Sequence, residues 1–326
     1  MTSESYVLVV STVVDVATDD VVRRLSNRSI KCRRINTEDF PFKRALSLPF
    51  GGDGISQWLE LDGEPLPQPA AIWYRRMRSP ARPEGMQEGV YQFCLQESRA
   101  ALLGGILTGS TQWMSHPASV WQSEFKPFQL AMAQALGLRV PRTTITNSPS
   151  AIREAFAAFG TMVVKPTRTG HVVYDGKEHA VFTSKLLAEH LEYLEGASLS
   201  PAIYQELIPK RFDIRVTVVG ERIFAAAIDS QTDPEACIDW RHTENPELPH
   251  YPVTLPPEVE SKLLELMKRL GLNFGAIDLV QTPEGEYYFL EVNPNGQWLW
   301  IDDMLGLGIS DEVAGWLSRA VTYGTT

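Results

Sequence analysis

The 326-residue chain is poor in several things that would narrow its function at once. Its three cysteines, Cys32, Cys94 and Cys237, are odd in number and far apart, which argues against a disulfide framework and against a zinc site. Positive charge is scarce too. Thirty Lys and Arg against forty Asp and Glu leave a net charge of −10, whereas a nucleic-acid surface is normally basic, so no nucleic-acid partner is expected. A local basic pocket for phosphates stays open. No apolar run approaches the length of a membrane span, and Met1–Tyr6 is polar, with no basic patch leading into an apolar run. A cytoplasmic enzyme with no membrane partner is the expectation. No Gly-x-Gly-x-x-Gly follows the first β-prone run and no Gly-x-x-x-x-Gly-Lys precedes a helix, so neither a dinucleotide fingerprint nor a P-loop is present. Internal repeats and low-complexity segments are also missing.

What is present concentrates in Asn273–Trp300. Two β-prone runs flank Thr282-Pro283-Glu284-Gly285 and predict an antiparallel hairpin. If Gln281 pairs with Glu286, Asp278 lies opposite Phe289 and diagonal to Glu291. Alternation then puts Asp278, Glu291 and Asn293 on one face, with Tyr288, Leu290 and Val292 on the other. Two carboxylates and an amide make a poor core and a good site for a hard cation such as Mg²⁺, which takes one or two carboxylates together with nucleotide phosphates. Taken alone, the pattern fits an exposed polar face equally well.

Along the chain, Tyr6–Val10, Asp19–Leu25 and Ile30–Ile35 read as strand, helix and strand, an α/β layer. Phe40–Gly54 reads as loop, and Gln57–Leu61 and Ala71–Tyr74 as strands. The latter runs into Arg75, Arg76 and Arg78, a cluster able to grip a carboxylate or to sit in a solvated turn. Glu88–Leu107 is helical, with Val90, Phe93, Cys94, Glu97 and Ala101 on one side. His116 is assigned no role. Ser123–Leu138 reads as one helix closed by Gly137, with Lys126 in its first turn, where a cation opposes the helix dipole unless an anion is near. Met162–Val164 ends in Lys165, and Thr167-Arg168-Thr169-Gly170 returns into a second β-prone run at His171–Tyr174; lysine, hydroxyls and free amides there suit phosphates. Ile203–Ile208 and Phe212–Val219 are strands, and Asp213 and Arg215 of the second share a polar face as a candidate ion pair. Cys237–Pro257 reads as irregular, followed by helices at Glu258–Leu270 and Asp311–Val321.

The order of Lys126, Lys165, Gln205-Glu206-Leu207-Ile208, Asp213, Asp278 and Glu291-Val292-Asn293 resembles the nucleotide site of the ATP-grasp superfamily. Trp73-Tyr74-Arg75-Arg76, Trp113–Pro117, Lys126-Pro127-Phe128-Gln129-Leu130, Gly137–Thr143 and Glu291–Trp298 further resemble the microviridin-type graspetide synthetases, over nearly the whole chain. The resemblance implies an α/β (α+β) ATP-grasp fold with an N-terminal α/β layer (1–117), a central lid (118–208) and a C-terminal antiparallel-sheet subdomain carrying the metal site (209–326). It implies ATP and Mg²⁺ as cofactors. Lys126 and Lys165 would contact phosphates, Glu206 and Leu207 the adenine edge, and Asp213 the ribose, while Asp278, Glu291 and Asn293 hold Mg²⁺. Arg215 would steady the acyl phosphate and its tetrahedral intermediate.

The implied activity is ATP-dependent carboxylate ligation. Glu or Asp side chains of a ribosomal precursor peptide become acyl phosphates, then join Thr or Ser hydroxyls as esters or Lys amines as amides, closing rings. The implied partners are a precursor with a helical leader and a core rich in Thr, Glu and Asp, and a second copy of the chain in a homodimer. The 168–182 hairpin and the 237–251 loop are candidates for holding the leader. Two other readings stay open: an ATP-grasp amino-acid or glutamate ligase acting on a protein C-terminus or a small substrate, and a peptide-binding protein that keeps the fold without turnover.

Overall fold

A computed structural model describes residues 5–51, 58–109, 111–168, 170–174, 177–243, 245 and 247–323. Gln57 and Thr169, which figured in a predicted strand and in the predicted phosphate loop, lie outside these residues. The chain divides into two compact units, Met1–Pro117 with Gly308–Thr326, and Ala118–Leu307.

The first unit is the expected α/β layer. Val7–Ser11 is buried along its whole length, as a central parallel strand requires. It pairs in parallel with Cys32–Asn36 on one side and Ala71–Tyr74 on the other, and Gln112–Trp113 extends the sheet. The helix Val16–Asn27 crosses between the first two strands. Asp15 caps it by accepting from Thr18 N, and Ala17, Val21 and Leu25 recur on its buried face. The last helix, Ile309–Tyr323, packs against Val16–Asn27 and returns the end of the chain to this unit. Two expectations change. The loop after Phe40 contains a short strand, Leu46–Ser47, in a three-stranded antiparallel sheet with Leu59–Leu61 and Glu64–Leu66. In Glu88–Leu107 the buried side chains are Leu95, Leu102 and Ile106, whereas Val90 and Phe93 face outward. Apolar spacing alone does not say which of two candidate stripes meets the core.

The second unit carries two larger antiparallel sheets besides the two-stranded hairpin His171–Tyr174 with Lys177–Ala180. One runs Ser184–Leu186, Met162–Lys165, Ala202–Glu206, Thr143–Thr146, with helix Pro149–Phe159 burying Ile152 and Ala155 against Met162, Leu186 and Tyr204. The other runs His250–Val253, Arg222–Ile228, Phe212–Val219, Phe274–Gln281, Tyr287–Asn293. The strand at His250–Val253 replaces part of the expected irregular loop; its Pro252 is tolerated because the strand is at a sheet edge. The helix expected over 123–138 is shorter, Lys126–Ala135, and a separate helix, Pro117–Ser123, precedes it. Pro127 occupies the first turn of Lys126–Ala135, where its missing N–H costs nothing, and so marks a new start.

Candidate active site

The site is built on three neighbouring strands of the five-stranded sheet. In Phe212–Val219 both faces are buried, so the charged Asp213 and Arg215 must find partners inside the protein. Arg215 lies in register with Asp278. Its Nη1 donates to both carboxylate oxygens at 2.9 and 3.0 Å, and its Nη2 to Gln297 O at 2.9 Å. Asp213 is held instead by Lys210 Nζ at 2.8 and 3.0 Å and by Ser230 Oγ at 2.5 Å. The expected Asp213–Arg215 pair does not form. Residues two apart on a strand stand ~7 Å apart, and each has a nearer partner. Burial pushes the Asp213 carboxyl up, against the opposing pull of Lys210.

The hairpin differs from expectation in register but still brings Asp278, Glu291 and Asn293 to one side, whereas Tyr288, paired with Val280, leaves the face expected for it. Gln281 pairs with Tyr287 rather than Glu286, because the connection is five residues long, with Thr282 N donating to Glu286 O. A bulge then skips Leu290, so Asp278 sits directly opposite Glu291. Leu290, expected on the opposite face, borders the cavity beside Glu291. Asn293 Nδ2 reaches both carboxylates, 3.2 Å from Asp278 Oδ2 and 3.2 Å from Glu291 Oε1. Lys126 Nζ, from the first turn of its helix, lies 2.9 Å from Glu291 Oε2 and 3.3 Å from Pro166 O. The anion implied by a lysine at a helix N-terminus is therefore partly supplied by the protein.

Lys165 is buried at its strand end. Burial lowers it to about 8, opposed by the Glu291 carboxylate and reinforced by the Lys126 charge. In the neighbouring carboxylate pair, burial drives Asp278 up against the pull of Arg215. Burial also works on Glu291, but Lys126 and Lys165 outweigh it and hold that carboxyl below the usual range.

A cavity of about 390 Å³ opens over this wall, a size that suits a small-molecule ligand. Lys126, Lys165, Glu206, Leu207, Asp213, Asp278, Glu291 and Asn293 all line it, and Arg215 backs Asp278 from the adjacent strand. Glu206 turns its carboxylate onto Arg142, at 2.9 and 2.7 Å, and Leu207 N donates to Thr161 O. Neither group points freely at a ligand; what the segment presents is its backbone edge and the side chains of Leu207 and Ile208. The donor set fits a hard cation. Asp278 and Glu291 supply two carboxylates, and the Asn293 amide supplies an oxygen if turned half a revolution about its last bond.

Sequence reasoning missed Arg241. It lines the cavity and is clamped by Asp239 at 2.8 and 2.7 Å. Although burial raises Asp239, the Arg241 bonds and charge outweigh it and bring the carboxyl down to about 2. The only signal was an acid–aromatic–base triplet, Asp239-Trp240-Arg241, inside a stretch read as irregular. Lys210 was missed likewise, though Lys-x-x-Asp at 210–213 carries it. The two leader candidates meet: Asp239 accepts from Thr183 N at 3.1 Å, and the rings of Phe182 and His242 lie 4.8 Å apart. The hairpin itself, His171–Tyr174 with Lys177–Ala180, forms a separate two-stranded sheet. In the first unit Arg75 is fully buried, 3.7 Å from Asp15, and burial lowers it to about 9. It belongs to the interior of that unit, which removes it as an exposed receptor for acidic residues.

A family model described as the MvdD pre-ATP grasp domain matches residues 6–120. Among solved structures, macrocyclase MdnC from Microcystis aeruginosa MRC, bound with precursor peptide MdnA, is 34% identical over 96% of this chain and 99% of its own, with a TM-score of 0.86. This chain belongs to the graspetide-type ATP-grasp maturases. The maturase is also similar to a Chryseobacterium gregarium RiPP-associated ATP-grasp ligase in complex with ADP and a leader and core peptide. That enzyme is 28% identical over 97% of both chains, with a TM-score of 0.89. Macrocyclase MdnB of the same Microcystis strain gives 28% identity, 96% and 99% coverage and a TM-score of 0.76. No curated protein sequence matches. Among the described residues of the maturase, no helix is long and apolar enough to cross a membrane.

Proposed function

We propose that this maturase is an ATP-dependent macrocyclase of a ribosomal precursor peptide. The observation that carries the proposal is the full-length likeness to macrocyclase MdnC, joined to a cavity wall on which two carboxylates, an amide and two lysines converge. A Glu or Asp carboxylate of the peptide attacks the γ-phosphorus of ATP and releases ADP. A Thr or Ser hydroxyl, or a Lys amine, of the same peptide then attacks the acyl carbon and releases phosphate. Asp278, Glu291 and Asn293 would hold Mg²⁺, which when bound neutralises charge on the transferring phosphate. Lys126 and Lys165 bind the phosphates as compact charges, and the Glu206–Ile208 edge faces the adenine. Asp213, fixed by Lys210 and Ser230, meets the ribose. Arg215 and Arg241, each locked by its own carboxylate, present preorganised positive charge to the acyl phosphate, where it counts more than in water. Residues 118–208 serve as the lid, the 168–182 hairpin and 237–251 loop as the leader seat. Cytoplasmic location and a homodimeric state are part of the same proposal.

Intact mass of a co-expressed precursor tests this reading. Each ring removes one water, so loss of whole waters is expected, in proportion to the number of links. An unchanged peptide in the presence of folded enzyme would refute the precursor assignment, and a mass gain would identify an amino-acid ligase.

The depressed Lys165 supplies a second test. At pH 8 the apo lysine is about half protonated, and phosphates placed beside it restore its proton affinity. ADP binding at that pH should therefore take up a substantial fraction of a proton, measured by calorimetry in buffers of differing ionisation enthalpy. Uptake should be smaller at pH 7, where the lysine is mostly charged already, and absent at pH 8 in Lys165→Arg. Equal enthalpies in all buffers at pH 8 would remove Lys165 from the phosphate site.

A further inference from the structure

One buried polar side chain in the second unit has no part in this chemistry. Gln129, 2% exposed, lies one turn after Lys126 on the helix Lys126–Ala135. Its amide meets the backbone of Val292 twice: Oε1 accepts from Val292 N at 2.9 Å, and Nε2 donates to Val292 O at 2.8 Å. Nε2 also donates to Ser123 O. Paired donation and acceptance is what one residue of an antiparallel strand offers its partner. Tyr287–Asn293 ends its sheet, and among the described residues its outer side meets no further strand, only a single bridge at Arg139, whose O accepts from Phe289 N at 2.8 Å. Its ladder with Phe274–Gln281 is also interrupted by the bulge at Leu290. At the bulge the ladder no longer pairs Leu290, so contacts on the outer side help to set the backbone that follows it.

Val292 sits between Glu291 and Asn293. Alternation sends its side chain, 1% exposed, into the core and those of its neighbours toward the cavity. Holding the Val292 peptide groups therefore sets the height and tilt of both neighbours. The same helix carries Lys126, whose Nζ meets Glu291 Oε2 at 2.9 Å. We infer that Gln129 is a positioning residue that stands in for the missing neighbour strand and ties Glu291 and Asn293 to the helix of Lys126. One helix then fixes both the phosphate lysine and the cation ligands. This rests on the assignment of Glu291 and Asn293 to Mg²⁺.

The test uses full-length protein with Gln129→Met, which keeps length and volume and removes both bonds, and Glu291→Gln as a ligand control. In the apoprotein, amide exchange over 288–296 should accelerate in Gln129→Met while Ile214–Val218 stays protected. Mn²⁺ binding to the ADP complex, followed by electron paramagnetic resonance, should weaken by about 10-fold or more, the usual effect of removing a residue that orients a metal ligand. Metal-free ADP affinity should not change, which separates positioning from general damage to the pocket. Gln129→Asn keeps a neutral amide but, one methylene shorter, falls short of the Val292 groups, so it should weaken Mn²⁺ binding in the same direction. It carries the test if the methionine variant does not fold. Wild-type Mn²⁺ affinity in the Gln129 variants, with binding lost in Glu291→Gln, would overturn the positioning role and leave the ligand assignment standing. Wild-type Mn²⁺ affinity in Glu291→Gln would overturn both.

Discussion

Glu291→Gln is expected to lower precursor-dependent ADP release by about 10³-fold, the scale on which removal of preorganised charge or of a metal ligand acts. Shape is nearly conserved, so the loss reads out charge. Glu291 is the counterion of Lys126, at 2.9 Å, and supports the proton on buried Lys165. Neutralising it leaves two ammonium groups near one another with less compensation. Breaking a buried pair from one side typically costs ~3–5 kcal/mol, but Lys165 can relieve part of this by giving up its proton. Its folded-state affinity, already depressed to about 8, should fall further, while the unfolded chain keeps the ordinary lysine value. The unfolded state then binds more protons across the window from below pH 8 up to the ordinary lysine range, so stability rises with pH there. The variant should gain more stability than wild type on going from pH 7 to 9, measured by urea unfolding. Turnover within a few-fold of wild type would sink the assignment of Glu291 to the reacting phosphates.

Gly296→Ala should be nearly as damaging, by a different route. Its backbone is not in the left-handed region, so the demand for glycine is spatial. An added Cβ would collide with the Ala276 methyl and stand 2.9 Å from Arg215 Nη2 and 3.3 Å from Asn293 Cβ. The loop after Asn293 passes so close to the sheet because Gln297 O accepts from that same Arg215 nitrogen. Overpacking of this kind costs ~1–3 kcal/mol, and a displaced Arg215 would remove the charge proposed to steady the acyl phosphate. A fall in turnover of about 10²-fold is expected. Ala276→Gly removes the methyl in the way, so the double variant should recover a measurable part of both losses, a coupling that a double-mutant cycle reports. Additive losses in the double variant would place the damage elsewhere.

Much of this site was legible because its chemistry is carried by alternation. Asp278, Glu291 and Asn293 share a face in the structure although the pairing expected for them was wrong. The connection is one residue longer than assumed and the bulge at Leu290 adds one more, and two one-residue shifts restore the parity of a period-two pattern. Leu290 itself had no such protection, and its side changed. Lys126 and Lys165 were legible as cations at the ends of elements. Arg241 and Gln129 were not, because Arg241 faces the cavity from an irregular segment and Gln129 and Val292 are 163 positions apart, whereas Lys210 lies three residues from Asp213 and was within reach of the sequence. The α/β layer was legible from its buried strand. The return of Ile309–Tyr323 to that layer was not, since a helix's stripe shows that it packs and leaves open against what.

The carboxylates proposed for the cation are already satisfied by the protein's own side chains. Lys126 sits on Glu291 and Arg215 on Asp278, so a lone divalent ion arriving at the pocket meets charge that is already cancelled. Phosphates compete for the lysine, and each step a lysine takes toward a phosphate uncovers a carboxylate. On the proposed assignment the pocket would act as an ion exchanger whose resident counterions are tethered, taking up nucleotide and cation together in preference to a bare metal.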